Sequence, residues 1–185
     1  MGHSHNDAMN LRFRRMGDDE LVRIRDIDRS EAIRVGYEQR GSELVRFDVN
    51  WDDHGWLEGD GEHSFGRMIE AAEMSVAKGS TALGAFDGER LAGIAIYRPR
   101  LTETMGQLAL LHVSCTYRRR GVASRLFDDV LKLAKADGAT RLYVSATPSG
   151  SAVGFYTSRG FRPTDSPDSE LLAEEPEDIH MVLEI

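Results

Sequence analysis

The segment Leu111-His-Val-Ser-Cys-Thr-Tyr-Arg-Arg-Arg-Gly-Val-Ala-Ser-Arg-Leu126 constrains the fold of this chain more than any other. It reads as an apolar strand that passes through a basic, glycine-containing turn and enters an amphipathic helix. Val122, Leu126, Phe127, Val130, Leu133 and Ala134 recur at helical spacing, and Gly138 supplies the stop. The first amides of a helix lack partners within it and point outward, so such a start attracts anions. Gly121 lets the backbone approach a ligand closely, Ala123 keeps a nearby position small, and Arg118, Arg119 and Arg120 add charge. That chemistry suits a pyrophosphate. The common nucleotide strings are missing: there is no Gly-x4-Gly-Lys-Ser/Thr, and a dinucleotide fingerprint would need three spaced glycines where this turn has one.

The rest of the chain supplies a mixed set of elements. Residues 21–27 alternate and predict a strand. Residues 30–39 predict a short helix closed by Gly41, and residues 43–61 a turn-rich acidic loop holding Trp51 and Trp56. A helix follows over 63–78, ended by Gly79. Asp87-Gly88 predicts a hairpin between 81–86 and 91–97. Strands are expected at 107–113, around Leu142 and Val144, and at 180–185. A helix capped by Ser149 or Ser151 carries Ala152, Phe155 and Tyr156 and ends at Gly160. Residues 1–18 read as a flexible leader and 19–185 as one α/β domain.

The Arg118-x-x-Gly121-x-Ala123 turn resembles the Gln/Arg-x-x-Gly-x-Gly/Ala loop of the GNAT N-acetyltransferase superfamily. Downstream, Arg-Leu-Tyr-Val-Ser-Ala at 141–146 is followed by Ser-Ala-Val-Gly-Phe-Tyr-Thr-Ser-Arg-Gly-Phe at 151–161. The second string is similar to that family's Ala-x-x-Phe-Tyr…Gly-Phe segment. The resemblance is clear from Leu91 to Pro163; before that, only the order of elements matches. It implies a single-domain α/β fold with a central mixed, mostly antiparallel sheet, splayed at the strand before the CoA loop, and helices on both faces. It also implies acetyl-CoA as cosubstrate, with no metal. Position by position, it assigns the pantetheine arm to backbone groups of His112, Val113 and Ser114. The pyrophosphate falls to amides of Arg118, Arg119, Arg120, Gly121, Val122, Ala123 and Ser124. Tyr156 would protonate the departing CoA thiolate, a role that suits a phenol of pKa about 10. Where the family often has Asn, this chain has Ser149, which either meets the pantetheine or caps the helix.

The general base is the open position. Many relatives place a Glu on the strand before the loop, whereas residues 107–113 contain no carboxylate. His112 is the only titratable side chain on that strand, and imidazole has a suitable pKa. Glu103 lies just upstream. A water-relayed path and an acceptor arriving partly neutral are the other routes. Cys115 has no accompanying catalytic constellation and reads as packing.

A net charge of −8 argues against nucleic acid as a partner. No apolar run approaches the ~18 residues of a membrane span, and the start lacks a signal-peptide stretch. The chain therefore reads as cytoplasmic, with no membrane partner, and its final strand offers an edge for a homodimer. Asp48, Asp52, Asp53, Glu58, Asp60 and Glu62 lie between Arg46 and Arg67 with no basic residue among them. With Trp51 and Trp56 they read either as a solvated loop or as a wall that attracts a cationic amine. The leading expectation is an N-acetyltransferase in which a primary amine attacks acetyl-CoA directly. The alternatives are a catalytically weak acyl-CoA-binding sensor module and an interaction domain with an acidic face.

Overall fold

The computed structural model describes residues 10–59, 61 and 63–185. Seven strands form one sheet: β1 (Leu11–Arg15), β4 (Thr81–Asp87), β5 (Arg90–Arg98), β6 (Met105–Val113), β7 (Arg141–Ala146), β9 (Ile179–Glu184) and β8 (Arg162–Pro163), in that spatial order. Every neighbouring pair is antiparallel except β6 and β7. A separate antiparallel ribbon is made by β2 (Glu31–Arg40) and β3 (Glu43–Asp53). Four α-helices complete the fold: α1 (Phe65–Ala77), α2 (Val122–Ala136), α3 (Gly150–Ser158) and α4 (Ser169–Glu174).

The interior of β5 is buried at every position from Leu91 to Tyr97, because both faces of the sheet are covered. On one face α2 lays down Val122, Leu126, Phe127, Val130 and Ala134, and α3 adds Val153 and Tyr156. On the other, Leu21, Ile24, Ile27, Trp56 and Ala72 pack against Phe86, Leu91, Ile94 and Ile96. The apolar periodicity of α2 and the Asp87-Gly88 hairpin therefore do what the sequence predicts.

The N-terminal third departs from expectation. Residues expected as a strand at 21–27 belong to a 3-10 helix, Asp18–Asp26. Leu21, Ile24 and Ile27 are spaced by three, the 3-10 repeat, and all are buried while Val22 is half exposed. The Glu20 carboxylate starts it by accepting the Gly17 N–H at 2.9 Å. The helix expected at 30–39 is β2, and much of the expected acidic loop is β3, joined to β2 by a tight Gly41-Ser42 turn. Gly41 adopts φ +61°, which glycine tolerates. The expected leader also extends too far: residues 11–15 pair with β4, and the Arg14 guanidinium lies 4.1 Å over the Phe86 ring. Residues 1–9 lie outside the described residues. Finally, β9 is no edge, since β7 flanks one side and β8 the other. The backbone groups expected to recruit a second copy are already paired along much of the strand.

Candidate active site

The parallel pairing of β6 with β7 lasts only from Met105 to Gln107 against Arg141 to Tyr143. Beyond it the two strands part, opening a V-shaped cleft. The register of β6 against β5 slips between Leu108 and Leu110, which leaves Ala109 as an exposed extra residue at the opening. Ser114 donates its N–H to Ala92 O at 2.9 Å, so Ser114 and Ala92 form a hydrogen-bonded pair. Alternation along an antiparallel ladder makes His112 and Ile94 another such pair. Val113 and Leu111, between and before them, turn their peptide groups toward the side that β7 has left.

This parity sorts the three residues expected to meet the pantetheine by where their peptide groups point. Those of Val113 face the opening. His112 spends its backbone groups on β5, while Ser114 gives its N–H to β5, accepts the Tyr117 N–H on its carbonyl at 2.8 Å, and accepts the Asp28 N–H on its hydroxyl at 3.1 Å. Leu111, which the sequence does not single out, shares the parity of Val113, because strand parity is set by pairing with β5.

The loop before α2 divides its arginines. Arg118 is half-buried and acts as a clamp, donating to Val113 O, to Glu31 and to Arg29 O at 3.2, 3.2 and 2.8 Å. Its own N–H bonds Cys115 O, so neither its side chain nor its amide faces an incoming anion. Arg119 and Arg120 are exposed. Arg119 (φ +61°) and Gly121 (φ +80°) are both left-handed, and such alternation of hand turns successive N–H groups to one side. The first bond of α2 runs from the Arg125 N–H to Gly121 O, so the amides of 122–124 precede the ladder. A Cβ built on Gly121 meets nothing within 4 Å. The space an anion needs is open.

The start of α3 faces the same region. Ser149 caps the helix by accepting the Ala152 N–H at 3.3 Å, and β2 bridges to it through Gly36. A cavity of about 400 Å³ lies between the ribbon, Arg119 and the first residues of α3, Gly150 and Ser151. Seven residues after Ser149, Tyr156 is buried edge-on to Phe155 and Phe161, at 5.4 and 5.3 Å between ring centroids. No group among the described residues hydrogen-bonds its hydroxyl. Burial, with the charge of Asp178 added, raises its pKa and keeps the phenol protonated.

The expected bases fare poorly. Glu103 is exposed in the turn before β6, roughly 30 Å of strand from Val113 at about 3.3 Å per residue. His112 points away from α2 and packs edge-on to Trp56 at 4.9 Å. Burial and the charges of Arg29 and Arg118 push its pKa down to about 3, so it stays neutral and is a weak proton acceptor. The unfolded chain binds a proton here below about pH 6.5 while the folded chain does not, so this residue costs stability as pH falls. His112→Leu should therefore narrow the drop in Tm between pH 7 and pH 5, read by scanning calorimetry. Cys115 donates its thiol to Asp28 at 3.3 Å, and that bond together with burial raises its pKa. It is no activated nucleophile.

Among the described residues, the acids of this stretch are each paired with an arginine. Asp48 pairs with Arg46, Asp52 with Arg34 and Asp53 with Arg29, each at 3.3 Å, and Glu58 with Arg25 at 2.7 Å. Asp60 and Glu62 lie outside the described residues. Trp56 is buried beneath Arg29 rather than open to a cation, whereas Trp51 is 45 % exposed. Asp52→Asn should change stability by less than about 0.5 kcal/mol, as for most exposed pairs. Asp53→Ala should cost about 1–3 kcal/mol, because Asp53 also accepts the Gly55 N–H at 2.8 Å. Urea denaturation of the two variants separates these outcomes.

Among the described residues, no three His, Cys, Asp or Glu side chains gather as a metal site, and no helix is long and apolar enough to cross a membrane. No curated protein matches the sequence. Solved structures share the fold. A nourseothricin acetyltransferase matches with a TM-score of 0.69 and 16 % identity, over 94 % of this chain and 98 % of its own. The PaiA N-acetyltransferase of Thermoplasma acidophilum, in complex with coenzyme A, matches with a TM-score of 0.64 and 16 % identity, over 96 % and 100 %. A GNAT family acetyltransferase from Elizabethkingia anophelis with acetyl-CoA bound gives 0.52 and 18 %, over 63 % and 82 %. The acetyltransferase (GNAT) domain family matches residues 57–184, from the loop before α1 to the end of β9. With the splayed sheet, the left-handed loop before α2 and that match together, the chain belongs to the GNAT family and is an acetyltransferase that uses acetyl-CoA.

Proposed function

We propose that the protein transfers the acetyl group of acetyl-CoA to a primary amine by direct attack. One observation carries this reading: β6 and β7 part after Gln107 and Tyr143, and the segments that leave their ends are the left-handed turn before α2 and the helix α3 that carries Tyr156. The pyrophosphate would lie on the amides from Arg119 to Ser124, and the pantetheine arm along Leu111 and Val113. Ser149 stays in the cap of α3 beside that arm. A peptide N–H on the opened edge would hold the thioester oxygen as negative charge develops. The nitrogen attacks the carbonyl carbon, the carbon–sulfur bond breaks, and Tyr156 gives the thiolate its proton.

The acceptor remains a class, the primary amines. Likeness to a nourseothricin acetyltransferase makes that compound one acceptor to test. A thiol-release assay with acetyl-CoA and nourseothricin, spermidine or a peptide with a free N-terminus tests the reading. Amine-dependent release of CoA supports it. The other reading, an acyl-CoA-binding module without turnover, draws on the lack of a carboxylate on β6. It predicts tight acetyl-CoA binding by calorimetry and no release with any of these amines.

A further inference from the structure

The β2–β3 ribbon lies outside residues 57–184 that match the family, so a role for it goes beyond the matched domain. It is held against the body of the protein at several points. The Tyr37 N–H bonds Pro148 O at 3.0 Å, Gly36 bridges Ser149, and the Gln39 side chain donates to Thr164 O at 3.1 Å. At its root Glu31 accepts from Arg118 at 3.2 Å and from Ser151 at 3.0 Å. The contact with α3 is so close that a Cβ built on Gly150 would meet the Val35 Cβ at 2.9 Å. The face of the ribbon that carries Val35 therefore looks onto the start of α3. Tyr37 shares that face by strand alternation, and Arg46 shares it as the cross-strand partner of Tyr37.

Between this face, the turn before α2 and the start of α3 lies the cavity of about 400 Å³. Its charged groups divide into engaged and available ones. The lining carboxylate, Glu31, is taken by Arg118 and Ser151. The Arg34 guanidinium donates to Ile33 O and Trp51 O, each at 3.1 Å, and to Asp52. Among the described residues Arg46 meets only Asp48, at 3.3 Å, with both side chains exposed, and such pairs hold weakly. The Arg119 side chain has no partner among the described residues. Arg46 and Arg119 thus line one cavity with guanidiniums free to act. The N–H groups of Gly150 and Ser151 join them, because the first bond of α3 runs from the Val153 N–H to Ser149 O at 3.0 Å. Like charges around one space repel until an anion enters it, and the fork of a guanidinium matches phosphate oxygens.

We propose that the ribbon completes the cosubstrate site, with Arg46 and Arg119 closing on a phosphate group of acetyl-CoA in this cavity. This rests on the reading above that lays the pyrophosphate on the amides from Arg119 onward. Arg46 exchanges its exposed bond to Asp48 for one to phosphate, and Arg119 gains its first side-chain partner. The group is the pyrophosphate or the 3′-phosphate on the ribose, which present the same oxygens. A cationic acceptor is a poor occupant here, since the same arginines repel it.

The test is calorimetry of CoA and dephospho-CoA on the full chain, with urea unfolding to check the fold of each variant. Arg46→Ala and Arg119→Ala should each weaken CoA binding by about 10–100-fold, the reach of a charge-assisted hydrogen bond, with unfolding midpoints unchanged. Arg46→Lys should recover part of the loss. Arg40→Ala removes the same charge from the opposite face of the ribbon, where Arg40 pairs with Glu38. It should leave affinity within about twofold, because an exposed charge away from the ligand is screened. The loss in Arg46→Ala should persist with dephospho-CoA if the cavity holds the pyrophosphate, and disappear if it holds the 3′-phosphate. CoA affinity within about threefold of wild type in either alanine variant overturns the proposal, as does an equal loss in Arg40→Ala. Gly121→Glu tells its failure from that of the underlying reading. If Gly121→Glu keeps wild-type affinity, the pyrophosphate is not at this turn and the proposal falls with that reading. If it abolishes binding while Arg46→Ala does not, the reading stands and only the ribbon's share in the site is lost.

Discussion

Gly121→Glu is expected to abolish CoA binding in a chain that still folds. The residue sits at φ +80° at the start of α2, where an added Cβ meets nothing within 4 Å. Folding therefore loses only the cost of a left-handed non-glycine residue, about 1–2 kcal/mol. Binding loses far more. A carboxylate projecting into the space before the amides of 122–124 would occupy the place of the pyrophosphate and repel it. Two like charges about 4 Å apart at an effective dielectric near 20 repel by about 4 kcal/mol, roughly a thousandfold in affinity. Gly121→Ala carries the backbone cost without the charge and should weaken binding much less. Calorimetry and urea unfolding on both variants separate the effects. A folded Gly121→Glu protein with wild-type CoA affinity would remove the pyrophosphate from this turn.

The second large effect is expected at Tyr156. Changing it to Phe removes one hydroxyl that no group of the described protein bonds, and keeps the ring between Phe155 and Phe161. Stability should hold within about 0.5 kcal/mol, since no protein hydrogen bond is lost. If the phenol protonates the thiolate, kcat should fall by about 10- to 10⁴-fold with CoA affinity little changed. Burial and Asp178 both favour the protonated phenol, the form a donor must start in. An unchanged kcat under conditions where chemistry limits turnover would reduce Tyr156 to a core aromatic.

Elements whose local signals agreed with their tertiary surroundings were legible in the sequence. The helix from Val122 carries its apolar stripe where the sheet needs it, and Ser149 has both the residue type and the position of a cap. The ribbon also carries a local signal, though its length and acidity resemble a helix followed by a loop. Ile33, Val35 and Tyr37 alternate, as do Val45, Phe47, Val49 and Trp51, and Gly41-Ser42 lies between them as a two-residue turn. The 3-10 helix was harder. Leu-Val-Arg-Ile-Arg-Asp-Ile mimics strand alternation until one sees that Leu21, Ile24 and Ile27 are the buried set.

Within the candidate site, the sequence by itself determined the left-handed turn into α2 and the tyrosine proposed as donor. Those depend on contiguous residues: glycine for a positive φ, helix-start amides, and a tyrosine two turns after a serine cap. Tertiary structure alone decided which peptide groups of β6 face the cleft, because hydrogen-bonding parity follows from the register with β5. It also decided that the acids near Asp52 are neutralised, since their partners Arg25, Arg29 and Arg34 come from earlier segments of the chain. Local chemistry is written in neighbouring residues, whereas pairing parity, charge neutralisation and desolvation are properties of residues far apart in the chain that folding brings together.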